Sequence, residues 1–74
     1  MAIDVELFGQ FAEGRPKVTT LNLVRPVTVQ DVAVLLGLDP EAVGLISIDG
    51  VQSELEDPVP AGCRLCFFPP MMGG

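Results

Sequence analysis

The chain opens with a strict alternation: Ile3, Val5 and Leu7 are apolar and Asp4 and Glu6 are charged, the period-two pattern of a strand with one wet face. Gln10 to Pro16 carries turn chemistry in Glu13, Gly14, Arg15 and Pro16, and Lys17 to Val24 then resumes a strand with Val18, Leu21 and Leu23, predicting a hairpin partner. Pro26 breaks that run. Thr28-Val29-Gln30-Asp31 resembles a capping box with Asp in place of Glu, so a helix is expected to start there. Its apolar stripe reads Val29, Val32, Leu35 and Leu36, and Gly37 closes it after about eight residues.

Beyond Gly37, Asp39-Pro40-Glu41 repeats helix-start chemistry with room for about one turn before Gly44. Leu45 to Ile48 reads as a third strand, Asp49-Gly50 as a tight turn, and Glu56-Asp57-Pro58 with Ala61-Gly62 as irregular loops before a last strand over Cys63 to Phe68. The order predicts an α+β fold: a mixed sheet of four to five strands packed on one main helix, for which the β-grasp is the smallest familiar solution. The order alone also permits a partial barrel.

Length and charge narrow the function classes. Seventy-four residues, 49% hydrophobic, fit one small ordered domain. A net charge of -6 disfavours nucleic acid and anionic membranes as partners. No apolar run approaches a membrane span, and Met1-Ala2-Ile3-Asp4 lacks a signal-peptide pattern, so a cytoplasmic location is expected.

Side-chain chemistry is sparse. The absence of His removes the commonest general acid-base group, and no phosphate-cradling glycine loop is present. Cys63 and Cys66 lack a second pair or a His to complete a zinc site. Three residues apart on a strand, they point to opposite faces, one packed in the core and one at the surface. Asp4 and Glu6 read as solvated strand residues, and Glu54, Glu56 and Asp57 as a solvated or partner-facing loop.

The informative segment is Phe67-Phe68-Pro69-Pro70-Met71-Met72-Gly73-Gly74. Pro69 and Pro70 lack amide hydrogens and must end the strand, which divides the chain into a body at 1–68 and an extended tail at 69–74. At ~3.6 Å per residue such a tail reaches about 20 Å. Gly73 and Gly74 have no side chains, so a narrow channel in another protein admits them. If Ile3, Val5 and Leu7 face the core, Phe8 breaks the alternation, and if Leu65 and Phe67 face it, Phe68 points the other way. Phe8 and Phe68, with Val51 or Leu55 nearby, are therefore expected to form a partner-binding patch on the open face, the alternative being a second buried layer.

These features resemble the MoaD/ThiS group of prokaryotic ubiquitin-like sulfur carriers, and within it the small subunit of molybdopterin synthase. The resemblance rests on Ile3 to Phe11, Thr28-Val29 with Leu35-Leu36, Asp57 to Gly62 and, most specifically, Phe67 to Gly74. It implies a non-catalytic carrier that binds no cofactor. A ubiquitin-activating-type adenylyltransferase (MoeB-like) would use ATP to adenylate the Gly74 carboxylate, with Gly73 beside it, and a persulfide would convert it to a thiocarboxylate. The tail, Pro69, Pro70, Met71 and Met72 included, would then enter the large subunit of molybdopterin synthase (MoaE-like) in a heterotetramer, delivering sulfur to a pterin precursor for molybdenum or tungsten cofactor. Cys63, after the turn glycine, and Met71-Met72 depart from the family's common residues. The competing readings are a protein modifier joined to lysines, a carrier for another pathway such as thiamine synthesis, and a passive binding domain.

Overall fold

The computed structural model describes residues 1–70. Strand β1 (Ala2–Leu7) is followed by a 3-10 turn at Gly9–Ala12 and by β2 (Val18–Asn22), which pairs antiparallel with β1. Helix α1 (Val29–Leu35) leads through a second 3-10 turn, Pro40–Ala42, into β3 (Leu45–Ile48), β4 (Val51–Ser53) and β5 (Arg64–Phe68). The sheet order is β2-β1-β5-β3-β4, with β1 and β5 parallel and every other neighbour antiparallel. A mixed five-stranded sheet with one helix on one face is the β-grasp fold.

Alternation along β1 and β5 sets the two faces. Ile3, Val5 and Leu7 join Leu65 and Phe67 beneath α1, which contributes Val29, Val32 and Ala33. Leu35 does not share that face: it is exposed, and Ala33 is buried in its place. At 100° per residue, positions 29, 32, 33 and 36 share one stripe, whereas residue 35 lies well away from it.

The start of α1 is held twice. The Asp31 carboxylate accepts the Thr28 N–H at 2.9 Å while the Thr28 hydroxyl accepts the Asp31 N–H at 3.3 Å, the reciprocal bonds of a capping box. The next unpaired helix donors, Val29 and Gln30 N–H, are met by the carbonyls of Asp57 and Leu55 at 3.0 and 2.9 Å. The loop after β4 thus serves as a second cap. Its own shape depends on Asp57, whose Oδ2 accepts the Ser53 hydroxyl (2.7 Å) and the Glu54 N–H (2.9 Å).

Those two bonds hold the Asp57 carboxyl below its ordinary value, the Ser53 contact being the larger cause. A folded-state value depressed below the unfolded one contributes stability that is present above the unfolded value and lost as pH falls through the folded one. Thermal denaturation of the protein is accordingly expected to show a fall in Tm at acid pH that is smaller in Asp57→Asn. Parallel Tm-against-pH curves for the two proteins would contradict it.

Three further expectations are corrected. The segment after Asp49-Gly50 forms β4 rather than only irregular turns, because Asp49 and Gly50 both take positive φ (51° and 84°) and return the chain as a two-residue hairpin. The stretch from Gln10 to Pro16, expected to be turn, begins inside a 3-10 helix at Gly9–Ala12, with Phe11 buried. Cys66 is buried like Cys63, although it points away from the helix-side core; β5 is the central strand, and its neighbours on β1 and β3 cover both faces. Burial, with the Asp49 carboxylate second, pushes the Cys63 thiol up, away from reactivity.

Candidate functional site: the open sheet face and the chain exit

The face of the sheet opposite α1 changes character along its length. At the end where β5 begins, Thr20 donates to the Asp4 carboxylate at 2.8 Å, and the Asp49 carboxylate accepts the Arg64 N–H at 2.9 Å. In the middle, Glu6 and Ser47 flank Cys66, and Arg64 reaches Glu6 at 3.4 Å, an exposed pair of little energetic weight. At the end where β5 finishes, the face is apolar.

There Phe8 and Phe68 stack with ring centroids 4.4 Å apart and planes inclined by 12°. The β1–β5 register places them side by side: Leu7 lies opposite Phe67, Phe8 continues extended for one more residue, and each chain's next side chain faces outward. Both rings are half-buried. Leu45, directly across from Phe68 on β3 and 44% exposed, extends the patch, and Val18 on β2 lies on the same face. The Lys17 ammonium sits over the Phe8 ring, 5.3 Å from its centroid, a cation–π contact at the rim.

Two residues expected in this patch lie elsewhere. The two-residue turn pairs Val51 with Ile48, so Val51 shares the helix-side face, exposed at the edge of the sheet. Leu55 packs against the core from the loop that caps α1. Leu45 and Lys17 take their places beside the phenylalanines. Leu45 was discoverable, because Leu45-Ile46 breaks the alternation of its strand as Phe8 and Phe68 break theirs.

The patch adjoins the point where the chain leaves the sheet. The Phe8 N–H donates to the Phe67 carbonyl (3.1 Å) and the Gly44 N–H to the Phe68 carbonyl (2.8 Å), the last backbone bonds along β5. Pro69 and Pro70, with Gly44, Leu45 and Phe68, line a shallow apolar depression. Met71, Met72, Gly73 and Gly74 lie outside the described residues. Among the described residues no cluster of His, Cys, Asp or Glu is arranged to hold a metal ion, and no helix is long and apolar enough to cross a membrane.

No protein-family model matches the sequence, and no curated protein matches it either. Solved structures do. SAMP1 from Haloferax volcanii superposes with a TM-score of 0.75 at 24% identity over the whole of both chains. A putative molybdopterin converting factor subunit 1 from Pyrococcus furiosus gives 0.75 at 17% identity, covering 96% of this chain and 99% of that one. A complex of subunits 1 and 2 of the molybdopterin-converting factor from Helicobacter pylori gives 0.65 at 16% identity, with both chains fully covered. At these identities the likeness establishes the shared ubiquitin-like β-grasp fold.

Proposed function

We propose that the protein is a ubiquitin-like sulfur carrier whose working group is the carboxyl of Gly74, serving a molybdopterin synthase-type complex in the cytoplasm. The observation that carries this reading is the apolar Phe8–Phe68–Leu45 patch set beside the exit of a chain that continues through Pro69-Pro70 to Gly73-Gly74. This reading places a docking surface beside the point from which the chain runs on to Gly74. The likeness to subunit 1 of the converting factors supports it, and the Helicobacter pylori pair of subunits 1 and 2 supports a large-subunit partner.

In the proposed cycle an adenylyltransferase partner binds the patch and ATP. A Gly74 carboxylate oxygen attacks the α-phosphorus, pyrophosphate leaves, and the carboxyl becomes an acyl-adenylate. The terminal sulfur of a donor persulfide then attacks the carbonyl carbon, and AMP departs with the C–O electron pair. A thiol reductant splits the resulting S–S bond and leaves a thiocarboxylate on Gly74. The charged carrier docks on the large subunit, where the pterin precursor takes the sulfur. The net charge of -6 steers the carrier toward basic partner surfaces.

Intact-mass measurement after incubation with ATP, the activating partner and a sulfur donor is expected to show one oxygen replaced by sulfur, a change abolished by deleting Gly74. An unchanged mass with a demonstrably active partner would sink the carrier reading.

A second reading, in which the activated carboxyl acylates lysines of other proteins, draws on the likeness to the small archaeal modifier protein 1 of Haloferax volcanii. Lys17 is the only lysine in the sequence. Met1 also offers an amine, which donates to the Leu23 carbonyl at 2.7 Å. If the protein is a modifier, Lys17→Arg is expected to abolish any self-linked ladder on denaturing gels while conjugates with other proteins persist. Ladders surviving that change would place the linkage elsewhere.

A further inference from the structure

We infer that Gly9 and Gly44 are positioning residues: together they form a slot, too narrow for any side chain, that fixes the path of the main chain at Pro69 and Pro70 and so the direction in which it leaves the Phe8–Phe68 patch. The functional half of this inference rests on the carrier reading above; the geometric half stands without it.

The slot follows from the sheet order. β5 is central, with β1 parallel on one side and β3 antiparallel on the other, so the end of β5 is flanked by the end of β1 and the beginning of β3. Gly9 comes just after the first and Gly44 just before the second. A Cβ on Gly44 would lie 2.5 Å from the Cα of Pro70 and 2.7 Å from both Pro70 N and Pro69 O, all backbone atoms that give way only if the chain itself shifts. A Cβ on Gly9 would lie 2.8 Å from Cγ of Pro69, and Gly9 has a φ of +58° that disfavours any other residue. The two prolines are thus gripped from both sides.

Steric grip is needed there because hydrogen bonding cannot supply it. Neither proline has an N–H, so the ladder stops at the Phe68 carbonyl, and no donor on residues 69 or 70 can hold the chain to either neighbour. Proline fixes φ within each residue but not the orientation of the pair relative to the sheet. Gly9 and Gly44 supply that orientation. For a reactive end several residues further on, an angular change at Pro69 or Pro70 is magnified with distance. A small displacement here therefore moves the reacting carboxyl while leaving the patch intact.

Gly44 is the sharper probe, because its need for glycine comes from close approach alone rather than from positive φ. Gly44→Ala relieves its clash by moving Pro69 and Pro70. In the adenylation assay with ATP and the activating partner, Gly44→Ala is expected to lower kcat by roughly 100-fold with KM little changed, the signature of a misplaced reacting group behind an intact docking face. A raised KM with unchanged kcat, or wild-type kinetics, overturns the positioning role.

A second readout needs no activity. With a nitroxide on Met72→Cys, where Cys63 and Cys66 are buried and the label goes to the new thiol, amide broadening is measured across the sheet face. The pattern is expected to shift between the labelled parent and its Gly44→Ala counterpart while amides on α1 keep their chemical shifts. Identical patterns overturn the slot itself. If the unmodified protein is never adenylated, the carrier reading fails, and the nitroxide experiment still decides the geometry.

Discussion

Phe67→Ala is expected to strip the protein of much of its stability, the largest effect of any single truncation. Phe67 is fully buried, heads the fully buried side chains by volume, and lies on the central strand opposite Leu7 of β1 and Ile46 of β3. Truncating a buried Phe costs ~3–5 kcal/mol through lost transfer energy and the cavity left behind. A 74-residue domain at ~0.05–0.15 kcal/mol per residue has roughly 4–11 kcal/mol in total. The loss therefore removes much of the margin, and a fall in Tm of more than about 12 °C is expected. Urea denaturation followed by circular dichroism checks it. A change below about 1 kcal/mol would mean that the site collapses around the missing ring, contrary to the dense packing expected of such a core.

The face assignment behind that prediction is legible in the sequence, because β1 alternates without error and one buried face fixes the rest of a strand. So were the start of α1, whose Thr28 and Asp31 act on neighbours in sequence, and the Asp49-Gly50 hairpin, whose positive φ values those residue types accommodate. Each is a local rule read within four residues. β4 escaped because three residues are too short to display a period, and its pairing partner, not its composition, makes Val51–Ser53 a strand.

The site was legible in part for the same reason. Phe8 and Phe68 could be assigned to one face from their own strands, and the parallel register then stacked them. Val51 and Leu55 were misplaced because their faces depend on the hairpin register and on where the following loop lands, both set by tertiary contacts. Cys66 required knowing that β5 is central. The slot at Gly9 and Gly44 was beyond local reading altogether: Gly44 looks like a helix terminator in sequence, and only the folded sheet brings the backbone of Pro70 against it.

Phe68→Ala, one residue from Phe67, is expected to fold and, if the protein is the proposed carrier, to dock more weakly on its partners. Its ring is half-buried and contributes chiefly through the stack with Phe8, worth about 0.5–1.5 kcal/mol beyond area burial. Two parallel rings beside an exposed Leu45 make an apolar surface of the kind that becomes fully desolvated at the centre of an interface. Truncating such an anchor costs at least ~2 kcal/mol of binding, roughly 30-fold in Kd for the activating partner or the large subunit. Because the loss is of short-range packing, it should appear in the dissociation rate, whereas added salt, which screens the acidic body, should slow association. The Phe8→Ala/Phe68→Ala double variant should lose less than the sum of the two single changes, since each ring presents the other. If Phe68→Ala binds both partners with unchanged affinity and an intact Tm, docking does not use this face. Docking would then fall to the groove along α1 lined by Leu23, Val34 and Leu35, where Val34 and Leu35 are 59% and 64% exposed. In that case the tail would leave from the side of the protein opposite its partner, and six residues would have to span the sheet edge before reaching a reactive centre.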